Sequence, residues 1–279
     1  MLGTRRGLAV FAGTALAAFG LLAALVQLYA ALWPKSNINQ TATVVVIACL
    51  IVAAATYRAW PRRFLRREFH LPDIGVTVKV GDLFEQPGHL VIGFSDTFDT
   101  DTTDGKIISP GSVQGQFLQR VYSGDRDRLD NEIEHALSGA TKVSEELSAD
   151  KAGKLRRYPI GTVATLGMPA QRYFCVAYSY MQNNLIAKSS VNDLWDALNR
   201  VWDAARQSGQ RKTLVVPVIG SELARISSLD RDSLLKMMIL SFVASSRQQD
   251  VCKELVVVVH RNDYEKIDFL EVRAFLHTL

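Results

Sequence analysis

The sequence contains few of the residues from which metal sites and redox centres are built. It has three cysteines and five histidines, and neither residue type occurs at the spacing of zinc ligands. Cys49, Cys175 and Cys252 lie far apart, which favours buried free thiols over disulfides. No Walker motif and no Ser-His-Asp or Cys-His arrangement can be recognised. We therefore expect no metal site and assign no catalytic residue.

Charge is also missing from most of the N-terminal region. No charged residue occurs from Gly7 to Pro34 or from Ser36 to Tyr57. Each run is long enough to cross a bilayer core, which takes about 20 apolar residues. A cleaved signal peptide is the alternative for the first run, but the apolar core of a signal peptide spans only about 7 to 15 residues. The sequence therefore predicts a transmembrane hairpin in residues 1–60, with helices over 7–33 and 41–58.

Positive charge is concentrated around this hairpin. Eight of the 32 basic residues and none of the 28 acidic residues precede Glu68, so the rest of the chain contains 24 basic and 28 acidic residues. By the positive-inside rule, the arginines at both ends of the hairpin predict that both termini face the cytoplasm. We expect a basic juxtamembrane linker at 61–70 and a cytosolic domain at 71–279. The net negative charge of that domain argues against a nucleic-acid partner.

The cytosolic region alternates between short apolar runs and longer amphipathic stretches. The apolar runs, which are rich in β-branched residues, predict strands at 76–80, 90–94, 161–166, 173–180, 213–220 and 254–260. The amphipathic stretches predict helices within 190–209, 228–248 and 263–279, and a charged segment predicts two more near 128–137 and 142–147. This alternation indicates an α/β domain with a largely parallel sheet that is covered on both faces.

Three of the predicted strands end in segments that suit a ligand. The segments are VGDLF at 80–84, GFSDTFDT at 93–100 and VIGSELAR at 218–225. In parallel sheets, ligands bind beyond the carboxyl ends of the strands, where loops and helix N-termini present free N–H groups. Gly220 would allow a phosphate to approach the backbone, and Ser221 adds a hydroxyl group. We therefore expect a nucleotide site at this edge of the sheet.

The acidic loop of the second segment also suggests two other sites. A calcium loop starting at Asp99 would place Pro110 where the bidentate glutamate belongs, so the spacing excludes an EF-hand. Asp96 and Asp99 could form an acid-base pair, but no partner motif accompanies them. With a calcium site and an acid-base pair set aside, the acidic loop is interpreted as a ligand-binding loop.

The order of these segments resembles the macro domain. A strand precedes GDLF, a second strand precedes FSDTFDT, and GKIISPGSVQGQF and VVPVIGSELAR follow. With the hairpin in front, the chain is similar to membrane-anchored effectors of the Thoeris anti-phage defence system. The resemblance covers nearly the whole chain. It implies a macro-like three-layer α/β/α domain with a mixed, largely parallel sheet, held at the bacterial inner membrane by a multi-pass hairpin.

The resemblance also implies which residues bind the ligand. Asp82 would recognise the adenine amino group, the loop at 95–100 would surround the distal ribose, and the loop at 220–222 would hold the pyrophosphate. The residues expected at the site are Asp82, Ser95, Asp96, Phe98, Asp99, Thr100, Ser112, Gln114, Gly115, Gly220, Ser221 and Glu222. The sequence departs from the macro-domain pattern at two places. The asparagine-rich loop of hydrolytic macro domains is absent, which argues against hydrolase activity, and Glu222 replaces the second glycine of the pyrophosphate loop.

The function that follows from the resemblance is that of a signal-gated effector. A TIR-domain enzyme would make an ADP-ribose derivative, with histidine as the expected additional group. The macro domain would bind this ligand without turnover and without a cofactor, form a homo-oligomer and disrupt the lipid bilayer, so that the infected cell dies. The alternatives are a membrane-tethered hydrolase of ADP-ribose adducts and a scaffold with a vestigial pocket.

Overall fold

The chain begins with two apolar helices. The computed structural model describes residues 5–33, 39–60, 63–148, 150–220, 226 and 228–279. It divides into two units, Met1–Arg63 with Asp268–Ala274, and Phe64–Ile267 with Phe275–Leu279. The first unit contains α1 (Arg5–Leu32) and α2 (Gln40–Ala59), which pack against each other where the sequence predicts the hairpin.

The surface of this helical pair is apolar. Within the described residues, Leu8–Leu32 and Thr41–Arg58 are long and apolar enough to cross a membrane, and only 0% and 6% of the residues in their most apolar windows are buried. Large side chains such as Leu16, Phe19 and Val45 face outward. In water this arrangement would leave much apolar area exposed, whereas lipid would cover it.

The second unit is built on a mixed sheet. Its strands are β1 (Phe64–His70), β2 (Asp73–Val80), β3 (His89–Ser95), β4 (Ser144–Glu145), β5 (Arg156–Arg157), β6 (Val163–Met168), β7 (Gln171–Met181), β8 (Ala187–Lys188), β9 (Leu214–Pro217) and β10 (Glu254–Val259). The order in the main sheet is β1-β2-β10-β9-β3-β7-β6, β8 also pairs with β7, and β4 and β5 form a separate pair. Neighbouring strands from β2 to β7 in this order are parallel, so their carboxyl ends meet at one edge.

Helices cover both faces of this sheet, as the sequence predicts. They are α3 (Val113–Val121), α4 (Arg126–Ala136), α5 (Val191–Ser208) and α6 (Arg231–Gln248). The chain also contains 3₁₀ turns at Leu83–Glu85 and Arg261–Lys266 and a last helix, α7 (Phe269–Thr278). Because side chains alternate along a strand, Ile92 and Phe94 pack in the same core cluster as Phe117 of α3 and Ile133 of α4. On α5, Trp202 contacts Phe242 of α6 with ring centroids 5.5 Å apart.

Two segments differ from their sequence-based predictions. Residues 64–70, expected to belong to the basic linker, form the edge strand β1, in which Leu65 and Phe69 are buried while Arg66 and Glu68 are exposed. This period-two alternation is the strand signal that the arginines obscure. The helix predicted at 142–147 is wrong, because Ser144–Glu145 pairs with Arg156–Arg157 as a short hairpin.

Candidate functional site

A cavity lies at the edge where the parallel strands end. Its volume is about 330 Å³, and its lining comes from the ends of β3, β7, β9 and β10, the loop at 105–109 and the first residues of α3. Cavities that bind small ligands have volumes of about 300 to 1,000 Å³ and combine an apolar lining with a few polar groups. The cavity lies at the edge of the sheet where the sequence predicts a nucleotide site.

The N-terminus of α3 borders this cavity. Ser112 is the N-cap, and its hydroxyl accepts the N–H of Gly115 at 3.1 Å. Ser112 and Gln114 line the cavity, and the Gln114 amide donates to the carbonyl oxygen of Asp99. Gly115 is buried beneath the loop, because a Cβ atom there would lie 2.4 Å from the carbonyl oxygen of Ser109. The free N–H groups of a helix N-terminus favour an anion.

Gly220 borders the cavity after β9. Its φ of +81° lies in the left-handed region, where a side chain would be strained. The predicted strand at 213–220 is shorter than expected, so Val218, Ile219 and Gly220 form a turn along the cavity wall. Ser221 and Glu222, which we expect to continue this loop, lie outside the described residues.

The end of β10 adds two residues that sequence reasoning missed. His260 and Asp263 line the cavity. The Nδ1 atom of His260 accepts the N–H of Asn262 at 3.3 Å, which leaves Nε2 as the ring nitrogen that can donate. The Asp263 carboxylate is 3.2 Å from Nη2 of Arg231 and 3.1 Å from Nζ of Lys266. The strand-end rule, applied to the VVVV strand, would have pointed to His260.

Asp82 lies beside this end of the cavity but outside its lining. Its carboxylate accepts the N–H of Phe84 at 2.8 Å and a guanidinium hydrogen of Arg120 at 2.5 Å. Burial alone would raise the pKa of Asp82, but the hydrogen bonds from Arg120 and Phe84, with the charge of Arg120 and a smaller contribution from His260, hold that pKa below its usual value. Asp82 is therefore ionised at neutral pH.

The acidic loop is divided between the cavity and the interior. Ser95 lines the cavity. Asp96 is buried, and it accepts the N–H of Met181 at 2.8 Å and a guanidinium hydrogen of Arg157 at 2.7 Å. Phe98 has a φ of 50° and is buried, with ring centroids 5.6 Å from Phe94 and 5.7 Å from Tyr158.

The rest of this loop is fixed by buried polar contacts. Asp99 lies 3.0 Å from Nζ of Lys151, and their side chains are 1% and 0% exposed. The Asp99 carboxylate also accepts the hydroxyl of Thr97 and the N–H of Lys154. Thr100 is buried and donates to Asp130 at 2.6 Å. Of the described residues predicted to bind the ligand, Ser95, Ser112, Gln114 and Gly220 meet in the cavity.

The lining of the cavity combines groups of different chemical character. Within the part of the chain that the structure describes, no group of three or more His, Cys, Asp or Glu side chains could hold a metal ion. The cavity joins apolar walls to a helix N-terminus, a left-handed glycine and a histidine ring. Such groups can hold rings and a phosphate together.

The same fold occurs in solved structures of macrodomains. The Oceanobacillus iheyensis macrodomain with ADP superposes with a TM-score of 0.50 at 11% identity, over 78% of this chain and 100% of that chain. A mutant of the same macrodomain gives a TM-score of 0.51 at 12% identity, over 78% of this chain and 96% of that chain. Because the sequence identity is this low, the comparison establishes the fold alone.

Sequence similarity identifies the family. Thoeris protein ThsA of Bacillus amyloliquefaciens (strain Y2) is 28% identical over 206 residues, which cover 72% of this chain and 67% of that protein. The family model of the macro domain of Thoeris protein ThsA matches residues 76–260, from β2 to the residue after β10. The matched segment contains the strand ends that form the cavity, and the chain therefore belongs to the ThsA macro-domain family of Thoeris defence proteins.

Proposed function

We propose that this Thoeris protein binds an ADP-ribose derivative in the cavity and responds by disrupting the membrane. The observation that carries the proposal is the convergence of the α3 N-terminus and the left-handed Gly220 on one cavity at the carboxyl edge of the sheet. These features favour a phosphorylated ligand. The macrodomain of the same fold with ADP supports a ligand that contains ADP.

Asp82 and its surroundings suit the adenine end of this ligand. The carboxylate is ionised, and each of its oxygens already accepts one hydrogen bond, from Phe84 or from Arg120. A carboxylate oxygen has a second lone pair, so the adenine amino group can donate to Asp82 while Arg120 stays in place. His260 lies between this carboxylate and the cavity and offers its Nε2 proton to a ring nitrogen or a ribose oxygen.

The signal is the product of a TIR-domain enzyme, and histidine is the additional group that we expect it to contain. The ligand acts by shifting an equilibrium between separate chains and a homo-oligomer. It achieves this only if it binds the assembled state more tightly, because equal affinity for both states leaves the equilibrium unchanged. Because the response requires binding alone and no catalytic group, the protein releases the ligand unchanged.

When the chains assemble, their transmembrane hairpins come together and damage the membrane. Both helices of the hairpin are long and apolar enough to span a membrane. In this proposal they lie in the inner membrane and the macro-like domain lies in the cytoplasm. Clustering several hairpins would concentrate uncharged helices in one patch of lipid, which favours general disruption over a selective channel.

Calorimetric titration of the whole chain in detergent tests the binding step. We expect heat on addition of ADP-ribose and of its histidine conjugate, with both ligands recovered intact by chromatography. Gly220→Glu should abolish the signal, because it forces a strained acid beside the phosphates. Gly139→Glu is the matched control, because a Cβ atom at Gly139 meets nothing within 4 Å. If the unmodified chain gives no heat with ADP-ribose and none with the histidine conjugate, the proposal is refuted.

A second experiment tests the membrane step. Leu50 lies near the centre of the apolar span in α2 with 51% of its surface exposed. Leu50→Arg places a charge in the span, at a cost of about 2.5 to 3.5 kcal/mol for a central position. We expect this variant to bind the ligand as the unmodified chain does and to lose toxicity in cells that receive the signal. Full toxicity of the variant would contradict the membrane mechanism.

A further inference from the structure

Tyr178 occupies an irregularity in the strand pairing beside the cavity. In the pairing of β3 with β7, Phe94 is opposite Ala177 and Ser95 is opposite Ser179, so Tyr178 is the additional residue of a bulge. Bulges redirect side chains and are common beside binding sites. Tyr178 lines the cavity and is partly exposed.

The ring of Tyr178 lies directly on the backbone of Gly93. A Cβ atom at position 93 would be 2.7 Å from Cε1 of Tyr178 and 3.0 Å from Cδ1, so any other residue would push the ring away. A glycine inside a strand weakens the strand and often marks the close approach of another group. Gly93 therefore serves to seat this ring, and it too lines the cavity.

The walls around the ring are apolar. Beyond Ser179 the chain forms a hairpin between β7 and β8, closed by hydrogen bonds from the N–H of Leu185 to the carbonyl of Gln182 at 2.9 Å and from the N–H of Gln182 to the carbonyl of Ile186 at 3.1 Å. Met181, Leu185 and Ile186 of this hairpin line the cavity. Ile186 is 54% exposed, so its side chain is accessible to a ligand in the cavity.

The two ends of the cavity differ chemically. His260 and Asp263 belong to the end formed by β10, whereas Tyr178 and the β7–β8 hairpin form the end beside β7. The strand order places β9 and β3 between them. Gly220, which follows β9, and the N-terminus of α3 provide the phosphate-binding groups of the same cavity.

We propose that the ring of Tyr178, seated on Gly93 and bordered by Ile186, binds a planar, weakly polar ring that the signal carries beyond its second ribose. This inference rests on the proposed function, which places adenine at the opposite end, beside Asp82. A flat aromatic group such as an imidazole gains stacking on the tyrosine and covers the exposed isoleucine. Specificity for this group then resides in the β7–β8 hairpin, while Asp96 and Asp99 are engaged by Arg157 and Lys151.

Calorimetry on the whole chain in detergent tests this assignment with two probes, ADP-ribose and its histidine conjugate. The unmodified chain should bind the conjugate more tightly. Tyr178→Leu should weaken binding of the conjugate about tenfold, because the variant loses the aromatic ring on which the terminal group stacks. The loss for ADP-ribose should be several-fold smaller. Tyr178→Phe retains the ring and should preserve the preference for the conjugate.

Ile186→Ser provides a second variant whose folding is not in question, because the side chain is half exposed. It should also weaken binding of the conjugate more than binding of ADP-ribose. Equal losses for both probes in both variants would overturn the assignment, and so would an unchanged preference for the conjugate. If the unmodified chain binds ADP-ribose but does not distinguish the conjugate, this inference fails while the proposed function stands. If it binds neither probe, the proposed function fails and the inference with it.

Discussion

The acidic loop after β3 and the β7–β8 hairpin both follow neighbouring strand ends, yet they differ in what their side chains contact. Asp96 and Asp99 are buried against Arg157 and Lys151. The hairpin instead turns Met181, Leu185 and Ile186 toward the cavity. The two acidic side chains therefore belong to the buried scaffold, whereas apolar side chains of the hairpin line the cavity.

The buried pair of Asp99 and Lys151 illustrates why the acids belong to the scaffold. Burying a charge is costly unless it is paired and fully hydrogen-bonded. Lys151 donates to Asp99 at 3.0 Å and to the carbonyls of Ala152 and Lys154 at 2.9 and 2.8 Å. The pair thus joins the segment before β5 to the loop after β3, and Gln114 links that loop to α3 through the carbonyl of Asp99.

The largest expected effect is therefore on stability. Asp99→Ala leaves the Lys151 charge buried without its partner, and we expect a loss of about 3 to 5 kcal/mol in the free energy of unfolding. Asp104→Ala is the control, because the Asp104–Lys106 pair is exposed and solvent screens the attraction between the two charges. Chemical denaturation of both variants measures the difference. A stable Asp99→Ala protein that has lost only ligand affinity would restore the acidic loop as a ligand-binding element.

The next expected effect is on ligand affinity, and it tests the lining of the cavity rather than the buried acidic loop. Gly220→Ala adds a side chain in the left-handed region, at a cost of about 1 to 2 kcal/mol. We expect ligand affinity to fall about tenfold, because the altered turn no longer faces the phosphates. Titration of this variant beside Gly139→Ala measures the change. Equal affinities for the two variants would remove Gly220 from the site.

The next prediction tests whether adenine binds beside Asp82. If its carboxylate accepts the adenine amino group, an analogue of ADP-ribose with hypoxanthine in place of adenine should bind about tenfold more weakly, since hydrogen bonds to charged groups contribute about 1.5 to 3 kcal/mol. Asp82→Asn should reduce this discrimination while changing stability by less than about 1 kcal/mol, because the Arg120 pair is partly exposed. Undiminished discrimination in the variant would place adenine elsewhere.

The smallest effect involves His89, at the opposite end of β3 from the cavity. Burial, with the charges of Lys212 and Arg172, lowers the pKa of His89 below 6.5, although the hydrogen bond to Gly209 opposes this. As the pH falls below 6.5 the unfolded chain binds a proton that the folded chain does not, so stability decreases. His89→Gln should flatten the dependence of the melting temperature on pH between 7.5 and 5.5, with ligand affinity unchanged. An unaltered slope would show that other groups cause the acid sensitivity.

Much of the fold could be predicted from local patterns. Six apolar runs became β2, β3, β6, β7, β9 and β10, and the stretch that ends at Gly209 became α5. In β1, alternation of Leu65 and Phe69 with charged residues was hidden by the arginines that also mark the membrane boundary.

The site was predicted less completely, because its decisive contacts connect distant positions. Asp99 meets a lysine 52 residues later, and Asp96 meets an arginine 61 residues later. No local pattern distinguishes such carboxylates from ligand-binding ones. The seating of Tyr178 on Gly93 likewise depends on the register between β3 and β7 and on its bulge.

The central claim is that one cavity holds the whole ligand, with its terminal group on the β7–β8 hairpin. An experimental structure of the full chain with the histidine conjugate of ADP-ribose tests this most directly. The account predicts adenine beside Asp82, the pyrophosphate at Gly220 and the N-terminus of α3, and the imidazole on the ring of Tyr178. A ligand whose terminal group displaces Arg157 from Asp96 or Lys151 from Asp99 would contradict it.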